Sequence, residues 1–170
     1  MSKDKHLPKK IGDYIILDLL GRGGNGSVYN VKKNGQEYAL KILKNIHSKK
    51  IFQRFCDEIK LLLSEKNNNG ILPILDYNIG KNFEETWYIM PIAVPILDYQ
   101  RGNGVNEIYK NILSLTETLI DLHKKGIFHR DIKPNNIYIY NKKCVLSDFG
   151  LVSFPRKSLV SQQPPPKVVA

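Results

Sequence analysis

The stretch GRGGNGSVY, residues 21–29, constrains the fold most. The strand-like run YIILDLLG leads into it from Tyr14, and SVYNVKK continues beyond it as a second strand-like run. A GxGxxG spacing that leaves a strand and enters a helix marks a dinucleotide-binding βαβ unit. Here a strand follows, which argues against that fold. What remains is a glycine-rich hairpin. It can lay backbone N–H groups against phosphates because no side chain intervenes, or it can be an ordinary flexible turn. The stretch alone leaves both readings open. Asn34-Gly35 has the sequence of a tight hairpin turn, and QEYALKIL returns as a third strand. Together these runs predict a three-stranded antiparallel meander.

The periodicity then changes. In KKIFQRFCDEIKLLLSEKNN, Ile51, Phe52, Phe55, Ile59, Leu62 and Leu63 recur at helical spacing, and Asn67–Gly70 ends the run. ILPILDYNI and ETWYIM read as two more strands, so a five-stranded sheet with one helix fills residues 12 to 90. Beyond it, NEIYKNILSLTETLIDLHKKG predicts a long amphipathic helix on Ile108, Ile112, Leu115, Leu119 and Leu122, closed by Gly126 after two lysines. IFHRDIKPNN, the strand IYIY and the strand CVLSDFG follow. There is no internal repeat.

Composition narrows the class. No apolar run approaches the roughly 18 residues that cross a bilayer, and the basic N-terminus is not followed by a signal-peptide core. A cytoplasmic protein without membrane association is expected. The net charge of +10 is spread over scattered lysines with no interleaved aromatics, a solvated surface rather than a nucleic-acid face. Cys56 and Cys144 sit in apolar contexts and read as buried free thiols.

Two clusters carry chemistry. Lys41 lies among apolar neighbours on the third strand, sharing a face with Ala39, and such a lysine requires a carboxylate partner. Glu58 lies three residues after Phe55 and four before Leu62, on the buried helix face; Asp57 points further outward. In HRDIKPNN, Asp131 is an acceptor for a hydroxyl proton, Lys133 can reach a transferring phosphate and Asn136 offers an amide oxygen to a metal. Asp148 adds a hard carboxylate suited to magnesium.

These motifs, in this order, resemble the signature set of protein kinases. The glycine loop, the lysine of YALKIL, the catalytic-loop match HRDIKPNN and the turn Asp148-Phe149-Gly150 all correspond, over residues 11 to 152. Lys133-Pro134 resembles serine/threonine rather than tyrosine kinases. The resemblance implies an α+β fold: a complete β-rich N-lobe with one helix, then the first part of an α-helical C-lobe. It implies a basic flexible arm over 1–11, the N-lobe over 12–93 and the partial C-lobe over 94–152. ATP and Mg2+ are the implied cofactors, and a protein serine or threonine hydroxyl is the implied substrate. Gly21, Gly23 and Gly26 would cover the phosphates, and Val28, Ala39 and Tyr138 would enclose the adenine. Tyr138 is bulkier than the aliphatic residue expected there. Met90 resembles a gatekeeper and Pro91–Ala93 a hinge. Lys41 would hold the α- and β-phosphates and pair with Glu58, Asp131 would accept the substrate proton, and Asn136 and Asp148 would hold magnesium. Leu62, Ile74, His129 and Phe149 would stack as a hydrophobic spine. Arg130 would pair with a phosphorylated loop, with Ser153, Ser158 and Ser161 as acceptors.

The family's A-P-E motif has no match after Gly150, and no Asp or Glu follows Asp148. The expectation is a chain truncated shortly after that turn, with a disordered or non-native tail over 153–170. A disrupted gene is favoured over an artificially shortened chain or a natural half-kinase. The long helix should expose an apolar patch that a partner could cover. The alternative to a kinase whose activity is impaired by truncation is a non-catalytic ATP-binding or interaction module.

Overall fold

The structure is a computed structural model that describes residues 9–23, 26–43, 48–81 and 85–153. The chain forms two compact units. One takes the described residues up to Ile59 together with Pro73–Ala93; the other takes Lys60–Leu72 and the residues from Val94 onward.

The first unit is an antiparallel sheet with a helix. Its strands are β1 (Lys10–Ile11), β2 (Tyr14–Arg22), β3 (Gly26–Lys33), β4 (Gln36–Leu43), β5 (Asp76–Asn78) and β6 (Trp87–Met90). They lie in the order β1-β2-β3-β4-β6-β5. The predicted meander is β2–β4. Asn34 and Gly35 both take positive φ, 51° and 82°, the backbone of a two-residue turn whose twist matches a hairpin. Six strands form where five were expected. Lys10 and Ile11 pair with Ile15 and Tyr14, so these last residues of the predicted arm join the sheet, and Ile11 is buried. Conversely, only Asp76–Asn78 of ILPILDYNI is a strand. Pro73 lacks a donor for the ladder, and Leu72 donates instead to the Leu146 carbonyl (2.8 Å). Tyr14, Tyr29, Val31, Leu40, Trp87 and Ile89 form one apolar cluster.

Helix α1 (Lys49–Ser64) buries Phe55, Cys56, Ile59, Leu61 and Leu62. Ile51, Phe52 and Leu63 are only half-buried, so the buried stripe keeps Phe55, Ile59 and Leu62 of the predicted one and adds Cys56 and Leu61. The helix continues into the second unit.

That unit contains β7 (Val94–Pro95), β8 (Ile137–Tyr140) and β9 (Lys143–Leu146) in one sheet, with helices α2 (Ile96–Gln100) and α3 (Val105–Lys124). Gly126 ends α3 with φ 72° and donates to the His123 carbonyl. The buried line of α3 runs through Asn111, Thr118 and Leu122, with Ile108, Leu115 and Leu119 half-buried beside it. Ile112 departs from its expected place. It lies 54 % exposed with Tyr109, Leu113 and Ile120, an apolar face open to solvent among the described residues. Thr118 is buried because Gly70 packs directly on its side chain, where any Cβ would collide. Leu146 also donates to the Gly70 carbonyl (2.8 Å), and Lys125 bridges Glu65 (2.6 Å).

Cys56 and Cys144 are buried free thiols, as expected, and burial pushes the Cys144 thiol up to about 11. No described helix is long and apolar enough to cross a membrane. The predicted tail beyond Ser153, with Ser158 and Ser161, lies outside the described residues.

Candidate active site

The sheet register of the first unit gathers the predicted residues into rows. Gly21 lies opposite Val28, Val28 opposite Lys41, and Lys41 opposite Tyr88. Directly opposed residues point to the same face. Ala39 and Met90 pair two positions along, on that same face. One sheet face therefore carries Gly21, Val28, Ala39, Lys41 and Met90. Helix α1 supplies Glu58, whose Oε1 accepts a 2.7 Å hydrogen bond from Lys41 Nζ. Lys41 is 8 % exposed and Glu58 1 %. Each charge is buried and each answers the other, the arrangement a buried ion requires.

The three glycines differ in what their surroundings demand. A Cβ on Gly26 would meet the Ile42 carbonyl oxygen at 2.6 Å, so packing against β4 alone explains this glycine. A Cβ on Gly21 meets nothing within 4 Å, and one on Gly23 only the Gly26 carbonyl at 3.9 Å. Nothing described inside the chain requires glycine at these two positions, and the Gly23 N–H donates to the Gly26 carbonyl (2.9 Å). Gly24 and Asn25 lie outside the described residues. Ala93 and Tyr138 are half-buried, and Tyr138 lies opposite Val145 on β8 and β9.

The second unit holds the HRDIKPNN segment between α3 and β8. His129 is 1 % exposed. Its Nδ1 accepts from the Asp131 backbone N–H (3.3 Å), which leaves Nε2–H to donate to the Ser147 carbonyl (2.9 Å). Its ring lies 4.5 Å from that of Phe149. Ser147 N–H donates to the Asn136 carbonyl (2.9 Å). The two halves of the segment are thereby tied together through Ser147. Arg130 and Asp148 take φ of 65° and 60°. This left-handed backbone is costly for residues other than glycine and concentrates at functional sites.

Asp131 is the focus. Its Oδ2 accepts from Lys133 Nζ (2.7 Å) and from Asn136 Nδ2 (3.0 Å), and Asn136 Nδ2 also donates to the Asp131 carbonyl (2.8 Å). The hydrogen bond from Lys133 holds the Asp131 carboxyl below the ordinary aspartate value. Burial opposes it, the Asn136 bond and the Lys133 charge reinforce it, and the Asp148 charge opposes it. The hydrogen bond to Asp131 in turn raises the Lys133 ammonium. A depressed folded-state carboxyl contributes stability that is complete above its unfolded value and lost as pH falls through the folded one. The Asp131 contribution is therefore fully present at neutral pH and disappears only in acid. Lys133→Met should move the Asp131 midpoint upward in a carboxyl 13C NMR titration. An unchanged midpoint would contradict the assignment of Lys133 as its main partner.

Asn136 is 4 % exposed, and its amide nitrogen is committed to Asp131. Oδ1 is what it has to offer a cation. Asp148 adds a carboxylate, and among the described residues no set of three His, Cys, Asp or Glu could hold a metal by itself. This donor set fits Mg2+, which takes one or two protein oxygens and completes its shell with water and phosphate. Sequence reasoning missed Tyr88 and Ser147. No residue type announces a backbone carbonyl that holds a ring, and the neighbour of Lys41 depends on sheet register.

The protein kinase domain model matches residues 14–163. Mitogen-activated protein kinase 13 of Bos taurus is 30% identical over 155 residues, which cover 85% of this chain and 41% of that protein. Serine/threonine-protein kinase MPS1 of Encephalitozoon cuniculi is 26% identical over 86% of this chain and 25% of its own length. Serine/threonine-protein kinase ArnS of Sulfolobus acidocaldarius is 26% identical over 79% of this chain and 26% of its own. The chain spans less than half the length of each of these relatives. Sequence motifs, sheet architecture and the family match agree: the chain belongs to the protein kinase family.

Proposed function

We propose that this chain transfers the γ-phosphate of ATP to a serine or threonine hydroxyl of a protein substrate. The observation that carries the reading is Asp131, an ionised carboxylate fixed between the Lys133 ammonium and the buried Asn136 amide. In this reading residues 12–93 carry most of the nucleotide contacts and 94–152 carry Tyr138 and the residues that act on the substrate hydroxyl. Lys41, held by Glu58, grips the α- and β-phosphates. Gly21, Gly23 and Gly26 lie over the phosphates. Val28, Ala39, Met90, Ala93 and Tyr138 are the residues proposed to contact the base. Asp131 orients the hydroxyl and accepts its proton, and Lys133 stabilises charge on the transferring group. Asn136 and Asp148 hold Mg2+, which neutralises phosphate charge when bound.

A non-catalytic nucleotide-binding or interaction module is the second reading. The exposed face of Tyr109, Ile112, Leu113 and Ile120 favours it, because such a face suits a partner. Buried reduced thiols support a cytoplasmic setting for either.

Thermal unfolding with ATP and Mg2+ tests the shared premise. Nucleotide at 100 times its Kd should stabilise the chain by about 2.7 kcal/mol, and Asp148→Asn should reduce the gain seen with Mg2+. No stabilisation of the folded wild-type chain would overturn the kinase reading and the nucleotide-binding form of the second, and would leave only an interaction module.

A further inference from the structure

Lys41 is held by more than Glu58. Tyr88 stands directly opposite it on β6 and is 2 % exposed. The Tyr88 hydroxyl donates to Glu58 Oε1 (3.0 Å), the same oxygen that accepts from Lys41. The Lys41 ammonium lies 5.6 Å from the centre of the Tyr88 ring and 5.9 Å from that of Phe55. The two rings are themselves stacked at 5.6 Å. Phe55 and Glu58 are three residues apart on α1, so the helix presents a ring and a carboxylate together. The result is a four-sided box in which two sheet residues and two helix residues face one another.

Each contact acts on the ammonium in its own way. A carboxylate attracts it by charge. An aromatic face within about 6 Å attracts it through the ring quadrupole, more strongly where water is excluded. The tyrosine hydroxyl adds a charge-assisted hydrogen bond to the carboxylate and fixes which oxygen faces the lysine.

We infer that Tyr88 is a positioning residue for Lys41. Its hydroxyl orients the Glu58 carboxylate, and its ring, with that of Phe55, keeps the ammonium in place. Loss of the Tyr88 ring or hydroxyl therefore loosens Lys41 even while Glu58 keeps its charge. The inference rests on the reading of Lys41 as the nucleotide lysine only for its consequence in ATP binding. The box itself is a property of the nucleotide-free chain.

The test uses an amine-acylating reagent on the nucleotide-free 170-residue chain, with Lys41 modification followed by peptide mass spectrometry. Glu58→Gln removes the charge that faces a buried ammonium and should speed acylation of Lys41 by at least about tenfold. Tyr88→Leu should speed it about tenfold, and Glu58→Gln combined with Tyr88→Leu more than either alone. Tyr88→Phe keeps the ring and loses the hydroxyl. It should fall between wild type and Tyr88→Leu, and it carries the test if the leucine variant does not fold. Acylation of Lys41 at the wild-type rate in Tyr88→Phe and in any folded Tyr88→Leu would overturn the inference. In parallel, the Kd for ATP with Mg2+ should rise about tenfold in Tyr88→Leu. A shift in acylation in a chain that binds no nucleotide would leave the box standing and remove the proposed function. Nucleotide binding with no shift in acylation would do the reverse.

Discussion

Asp131→Asn is expected to lower phosphate transfer by about a hundred- to ten-thousand-fold, the range for losing a positioned general base. The substitution preserves shape and removes the negative charge. Oδ2 now accepts from Lys133 and from Asn136, and both bonds require acceptor oxygen there. An amide can supply that oxygen only by turning its nitrogen to the side a hydroxyl would approach, where a donor cannot take a proton. ATP affinity should change little, because the nucleotide contacts proposed for Lys41 and the glycine loop are untouched. A fall in kcat with an almost constant KM for ATP is the expected pattern in steady-state kinetics. An equal rise in KM with kcat unchanged would assign Asp131 to binding instead.

Lys41→Met should destabilise the chain by about 3–5 kcal/mol in urea unfolding, the cost of leaving a buried charge without its partner. Glu58 is 1 % exposed, so water cannot replace the ammonium. The Tyr88 hydroxyl still donates to its Oε1, which places the expected loss toward the lower end of that range. Adding Glu58→Leu should recover most of the stability, since a pair replaced by apolar groups is often nearly neutral. Nucleotide binding should not recover with it. A Lys41→Met chain as stable as wild type would mean that the pair is not closed in solution.

Lys41 and Glu58 were legible in the sequence because each sits in a simple periodic frame. Strand alternation placed Lys41 with Ala39, and helical spacing from Phe55 and Leu62 placed Glu58 inward. Asp131, Lys133 and Asn136 were legible because they are near neighbours in the chain. Tyr88 was not, because its meeting with Lys41 is set by the register of β4 on β6, two strands separated in sequence by a helix and another strand. The short strand Lys10–Ile11 carries too few residues for any alternation to register. On α3 the spacing of apolar residues pointed to Ile112, whereas close packing of Gly70 turned Thr118 inward. A polar residue buried by a glycine's missing side chain leaves no hydrophobic signal.

The cluster around Asp131 is proposed to perform phosphate transfer rather than only to accompany nucleotide binding. This role is tested most directly by incubating the purified chain with γ-labelled ATP, Mg2+ and a serine- and threonine-bearing protein, with bound nucleotide and transferred label measured on the same sample. Wild type and Asp131→Asn should both bind nucleotide, with label on substrate hydroxyls in the wild type alone. Nucleotide bound by the wild type with no label transferred would contradict that role and leave the binding module as the function.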